Sequence, residues 1–354
     1  MQERLSIIIP TYNRAPILAR CLEALVAQTL PKNQFEVVVC DDGSTDDTQA
    51  VLASFADRLS LQCLRQENKG PATARNRAIA VAKAPYLMII NDDSILAPPA
   101  LAQHVAANAH NIITLGCFRT PSEYKKDFFT AMVDSMGWIF PFVGMKKPDM
   151  KNFDLFLTAN LSLPAEAFKK VGGFDETFPS PAGEDIEMGY RLSKAGYVIM
   201  YDPTIECFHD NIYTPKGFVR LRYMRGVEDM RFLNKYPELI GHYQEMCAAM
   251  SRRWYARLKE NPKVLADEVQ KYGQLLEDTV NEYNATDESL LATRFRLIEK
   301  AYRLLDHVGF ISYVEGISDS AYFDKIIGSR AIPFSTAPEA KDAQALLDAL
   351  AIAA

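Results

Sequence analysis

The sequence predicts an α/β fold, a mostly parallel, Rossmann-like sheet flanked by helices, followed by an all-helical C-terminal region. Residues 5–9 (LSIII), 37–40 (VVVC), 60–64 and 86–90 (YLMII) are aliphatic runs too short for helices, and helical patterns over Ile17–Gln28, Thr48–Phe55 and Ala72–Ala82 separate them. Strands that are apolar throughout, alternating with amphipathic helices, imply a parallel sheet covered on both faces. From Pro215 onward the pattern changes to long helical stretches rich in Glu, Lys, Arg, Leu and Tyr.

In open α/β sheets ligands bind beyond the carboxyl ends of the strands. The polar clusters Thr11–Arg14, Asp41–Asp46 and Asn91–Ser94 fall there. Two more strands are expected at 112–118 and 156–163. Between them runs KKDFFTAMVDSMGWIFPFVGMKK, read either as a helix and loop burying Trp138 and Phe142, or as an acceptor loop or membrane-facing patch. Helices are expected over 216–235, 238–260, 263–283 and 288–308, broken at Pro237 and Pro262. The Ala-rich segment 339–354 reads as a docking helix or a frayed tail. The division is therefore 1–214, an α/β unit, and 215–354, a helical region serving acceptor binding, oligomerisation or docking.

At 354 residues and 48% apolar content the chain can bury one large core or two smaller ones. A net charge of −6 argues against a general nucleic-acid binder, which needs clustered Lys and Arg. Six scattered cysteines without a CxxC pair read as buried, reduced thiols. The N-terminus enters a strand directly and no segment has the ~20 apolar residues of a membrane span. The expected location is cytoplasmic, with peripheral attachment at the cytoplasmic membrane face left open.

Asp42 can accept hydrogen bonds from a base or ribose, Gly43 permits a tight turn, and Ser44 or Thr45 can cap the next helix. ENKGPATARNRA (67–78) supplies a Gly-Pro turn into a helix whose first turns carry Arg75 and Asn76; this suits an anion or a base edge, or a solvated face with Arg75 paired to a carboxylate. Asn91-Asp92-Asp93 ends a buried run, where carboxylates are costly unless paired or metal-bound. Hard oxygen ligands suit Mg2+ or Mn2+ bridging substrate phosphates. Glu184-Asp185 opens an amphipathic helix and can strip a proton from a hydroxyl.

PTYNR, DDGSTD, the NxG…ARN segment, NDD, TANLSL with GGFDE, GEDIEMGYRL and His209, in that order over residues 5–212, resemble the motif series of family 2 glycosyltransferases with the GT-A fold. The resemblance implies inverting transfer of a sugar from a nucleotide diphosphate sugar, commonly UDP-linked, to a hydroxyl of a carbohydrate, lipid-linked glycan or protein acceptor. It implies a nucleotide pocket of Pro10, Thr11, Tyr12, Arg14, Asp41, Asp42, Gly70, Arg75, Asn91 and Asp92, with Asp92 close to the ribose or donor sugar. Asp93 is implied as the metal-binding carboxylate, His209 as a position that completes the metal shell in some relatives, and Asp185 as general base beside Glu184. Asn91 departs from the Asp expected first in a DXD-like motif; an amide ligates a cation without charge. Arg220, Arg222 and Arg225 read as diphosphate contacts or as a solvated basic face. Two rivals remain: a nucleotidyltransferase, which needs a Gly-rich grip where PTYNR stands, and a catalytically silent nucleotide-sugar-binding scaffold.

Overall fold

A computed structural model describes residues 5–239 and 264–319, apart from 125–126, 138–139, 141, 143–144 and 181. The expected helix over 238–260 lies mostly outside these residues, as do Trp138 and segment 339–354.

The first half follows the predicted alternation: β1 (Leu5–Thr11), α1 (Ala15–Val26), β2 (Phe35–Asp41), α2 (Thr48–Ser54), β3 (Leu61–Arg65), α3 (Pro71–Val81) and β4 (Tyr86–Ile89). These four strands pair in parallel in the order β3-β2-β1-β4. Unbroken runs such as VVVC suit β2 because both of its faces are covered, and every residue of the strand is buried. β3 lies at the sheet edge and is half-exposed, so Cys63 is exposed. That corrects the expectation of buried thiols there, while Cys21, Cys40, Cys117 and Cys207 are buried.

The second half mixes directions. It runs through β5 (Ser94–Leu96), α4 (Ala100–Ala107), β6 (Ile112–Arg119), α5 (Phe128–Ser135), β7 (Asp149–Lys151), β8 (Leu161–Pro164), α6 (Ala165–Val171), α7 (Glu184–Lys194) and β9 (Val198–His209). β8 joins β4 and β6 antiparallel, β6 runs parallel to β9, and β5 and β7 flank β9 antiparallel. The strand expected at 156–163 begins only at Leu161, because residues 158–160 form a turn before it. Asn160 then turns inward: its Nδ2 donates to the carbonyls of Cys117 and Ile205 at 3.0 and 2.9 Å, and its Oδ1 lies 2.9 Å from His104 Nε2. Gly116 makes room, since a Cβ there would fall 2.1 Å from that amide nitrogen. Burial holds His104 down at about 4, a neutral core histidine.

Beyond the sheet come α8 (Pro215–Lys235), α9 (Val264–Ala285) and α10 (Leu291–Asp319). Thr214 caps α8 by accepting from the Gly217 amide at 3.1 Å, with Pro215 at the first turn. One apolar core fills the sheet; a second joins α8, α9 and α10 to Phe129, Met132, Phe178, Ile186 and Tyr190. Helix α7 belongs to both, through Met188 and Leu192 on one side and Ile186 and Tyr190 on the other. Its N-terminus is thereby fixed between two packed bodies. No helix among the described residues is long and apolar enough to cross a membrane.

Candidate active site

Three loops at the strand ends are laced together. Thr11 and Asp41 are parallel partners at the ends of β1 and β2. Asn13, whose φ of 53° is unusual outside glycine, donates its amide to Ser44 Oγ at 2.8 Å and accepts from the Thr45 amide at 2.7 Å. Asp41 accepts from the Ser44 amide at 2.8 Å and from the Gln49 side chain. Asp42 accepts from Gln66 Nε2 at 2.7 Å and from the Lys69 and Gly70 amides at 2.8 and 2.9 Å. Gly70 has φ +87°, and a Cβ there would lie 2.9 Å from the Pro179 carbonyl. Both carboxylates thus fold the loops as well as line them. Thr11 is buried, Pro10 half-buried and Tyr12 45% exposed at the mouth.

The acidic turn after β4 is more tightly bound. Thr11 Oγ1 donates to Asp92 Oδ2 at 2.8 Å, and the Arg14 guanidinium forks to Asp92 Oδ1 at 2.7 Å and Asp93 Oδ2 at 2.9 Å. The β5/β9 register sets Ser94 opposite His209. His209 Nε2 lies 3.2 Å from Asp93 Oδ2, and its Nδ1 2.8 Å from the Tyr213 hydroxyl. Burial lifts Asp92 to about 6 against the pull of Arg14. Burial also pushes Asp93 upward, but the charge and hydrogen bond of His209, with Arg14, outweigh it and take Asp93 down to about 2. Asp93 Oδ1 is buried without a hydrogen-bond partner.

That orphaned oxygen, beside an imidazole, fits a divalent cation. Among the described residues no three His, Cys, Asp or Glu side chains gather to hold a metal alone. Such a donor set suits Mg2+ or Mn2+, which keep waters and take substrate phosphates as ligands.

The Glu184-Asp185 corner has fewer partners. Gly183, at φ +89°, turns the chain into α7, where a Cβ would meet Glu228 Cβ at 3.1 Å. Arg75, 3% exposed, donates to Glu184 Oε1 at 2.7 Å and to Asn91 Oδ1 at 2.9 Å. Glu184 Oε2 and Arg75 Nε are buried without partners. Asp185 Oδ1 accepts from the Ile186 amide at 2.8 Å. Burial and then the neighbouring Glu184 charge push Asp185 up to about 7, while Arg225 and Arg75 pull it back.

The predicted residues thus form a loop corner (Pro10, Thr11, Tyr12, Asp41, Asp42, Gly70), an acidic corner (Arg14, Asp92, Asp93, His209) and a carboxylate pair (Glu184, Asp185). Arg75 and Asn91 join the last two. Sequence reading passed over Tyr213 and Asp210. Asp210 donates its amide to the Asp93 carbonyl at 2.8 Å and binds Arg20 and Tyr124 through its carboxylate. Only the position of Asp210 after His209 hinted at it. Arg225 pairs with Asp229 at 2.9 Å, on the side of α8 whose charge reaches Asp185.

Two family models match, "Glycosyl transferase family 2" over residues 6–164 and "Glycosyl transferase family group 2" over residues 86–267. The chain is 40% identical over 222 residues to validoxylamine A glucosyltransferase of Streptomyces hygroscopicus subsp. jinggangensis, covering 54% of this chain and 52% of that protein. It spans about half the length of the first curated relatives it matches. Among solved structures, mannosyltransferase PcManGT from Pyrobaculum calidifontis, in complex with GDP-Man and Mn2+, superposes with a TM-score of 0.57 at 21% identity, covering 90% of this chain and 88% of that one. TarS 1-349 from S. aureus in complex with UDP gives a TM-score of 0.51 at 17% identity, covering 93% of each chain. At such identities the two likenesses establish the fold, a GT-A sheet with helices on both faces.

Proposed function

We propose, from the premise that the chain belongs to the family 2 glycosyltransferases, that it moves a sugar from a UDP-sugar to an acceptor hydroxyl with inversion. Likeness to a glucosyltransferase at 40% identity favours glucose as the sugar moved. One observation carries the reading: a single buried guanidinium bonds both Asn91, beside the acidic turn, and Glu184, beside Asp185. In this reading the two chemistries face one cleft.

In this reading the β1 and β2 loops, with Thr11, Tyr12 and Asp42, receive the nucleotide, and Asp92 the ribose or donor sugar. Asp93 and His209 would hold a divalent cation, Mn2+ or Mg2+, which when bound would neutralise charge on the diphosphate. Asp93 suits that role because Arg14 Nη2 donates to it at 2.9 Å and favours its ionised form, leaving Oδ1 for the cation. Asp185 suits the opposite one, since at about 7 it is basic enough to accept a proton near neutrality. The acceptor oxygen gives its proton to an Asp185 oxygen and bonds to the anomeric carbon from the face opposite the diphosphate. The bond from that carbon to phosphate breaks, and its electron pair leaves on the diphosphate. Residues 1–214 form the catalytic unit in this reading, and helices from 215 onward wall the acceptor side, bringing Arg225 toward Asp185.

Thermal unfolding with Mn2+ and UDP-glucose, UDP-GlcNAc or GDP-mannose tests this. UDP-glucose with Mn2+ is expected to raise Tm, since a ligand that prefers the native state stabilises it, and to release UDP on incubation. No shift with any of the three would overturn the reading.

A further inference from the structure

Arg75 sits where a donor contact was expected, yet it is 3% exposed and its hydrogen bonds go to the protein. Nη1 reaches Glu184 Oε1 and Nη2 reaches Asn91 Oδ1, residues 109 and 16 positions away. Its carbon lies 5.5 Å from the Phe174 ring centroid. The next residue, Asn76, accepts from the Phe174 amide at 2.8 Å and donates to the Phe174 carbonyl at 2.9 Å. Two neighbouring residues of α3 therefore grip the acidic turn, the start of α7 and the loop before α7.

We propose that Arg75 is a positioning residue for the transfer proposed above: its fork holds Asn91 and Glu184 one guanidinium apart, and so sets the spacing between the diphosphate side of the cleft and Asp185. The inference rests on that transferase reading. A planar fork is required, because a lysine ammonium offers one charged point and cannot span both partners in a fixed geometry. The amide at position 91 fits the same design. A carboxylate there would compete with Glu184 for the guanidinium charge, whereas the Asn91 oxygen accepts a hydrogen bond and leaves that charge to Glu184. Glu184 in turn stands beside Asp185, which also faces Arg75 from α3 and Arg225 from α8. Glu228 of α8, packed near Gly183, is paired with Arg231 at 2.8 Å.

The test measures UDP release from UDP-glucose with Mn2+, and Mn2+-dependent UDP affinity by calorimetry, for Arg75→Lys, Arg75→Met, Glu184→Gln, the Arg75→Met/Glu184→Gln double variant and Asp185→Asn. Arg75→Lys is expected to lower kcat ~30-fold or more while UDP affinity stays within about threefold, since misplacement by about 1 Å costs on the order of 10²-fold. Glu184→Gln, which removes a like charge, is expected to move the acid limb of the kcat/KM profile to lower pH. If Arg75 acts through Glu184, the double variant falls no further than the worse single one. Wild-type kcat in Arg75→Lys, additive losses in the double variant, or a loss confined to UDP affinity would each overturn the proposal. Should Arg75→Met not fold, Arg75→Lys and the pH profile of Glu184→Gln still decide. An inactive Asp185→Asn beside a fully active Arg75→Lys sinks only the Arg75 assignment. A fully active Asp185→Asn, or no UDP release by the wild type, sinks the transferase reading and this inference with it.

Discussion

The acidic turn and the start of α7 each carry two adjacent carboxylates, and one of each pair, Asp93 and Asp185, shifts in opposite directions. At the turn, Arg14, Thr11 and His209 bond Asp92 and Asp93; burial still lifts Asp92 to about 6, while Asp93, facing both His209 and Arg14, falls to about 2. At the helix, Arg75 reaches only Glu184, the hydrogen bond to Asp185 comes from a backbone amide, and Asp185 rises to about 7. Burial opposes ionisation at both places; what differs is how much positive charge answers it. In the proposed reaction carboxylates separated in this way take separate tasks, one holding charge and the other moving a proton.

The sharpest way to break the contrast is Asp185→Asn. Turnover of UDP-glucose is expected to fall ~10²-fold or more while Mn2+-UDP affinity holds, checked by steady-state kinetics beside calorimetry. Asp93→Ala should do the reverse. Its removal is expected to abolish the extra Tm that Mn2+ adds to UDP, and an undiminished Mn2+ effect in the thermal scan would refute the metal role.

Next comes the pH profile of kcat/KM in the wild type. It should climb tenfold per unit below about 7 and level off above, because in the proposed reaction only the ionised Asp185 accepts a proton. A midpoint near the ordinary carboxylate range of ~4 would overturn the raised proton affinity of Asp185 on which this pH dependence rests.

The smallest effect is on stability. Asp185 holds its proton more tightly in the folded chain than in the unfolded one. Its contribution is therefore full below ~4 and is lost as pH rises through about 7. Asp93 is depressed when folded, so its contribution is present above ~4 and is lost as pH falls through about 2. Replacing Asp185 by Asn should thus raise Tm at pH 8 by ~2–4 °C, a gain that shrinks toward pH 5. An equal gain at both pH values would remove charge as its cause.

Much of the fold is legible along the chain. LSIII, VVVC and YLMII read as strands because each lies on a face covered on both sides. PTYNR, DDGSTD and NDD fall at strand ends because turns gather Asp, Asn, Gly and Ser. β9 was not anticipated, although its alternating burial has the two-residue period of a strand facing two environments. Its proline and scattered charges mask that period. Nothing local to 209 reveals that the His209 ring meets Asp93, 116 residues away. That contact needs β5 and β9 paired in one register. Arg75 reads from its surroundings in sequence as an anion or base contact, or as a solvated residue paired to a carboxylate; the folded chain pairs it with Glu184 but buries it.

Sequence alone determined the α/β alternation, the order of the motifs and the side of the sheet on which polar residues collect. Those features depend on neighbours within a few positions, through helix and strand periodicity and turn chemistry. Tertiary structure decided which carboxylate is answered by positive charge and which is left to burial. Proton affinity follows desolvation and ion pairs, and both are set by segments roughly a hundred residues apart that meet only when the two cores close on α7.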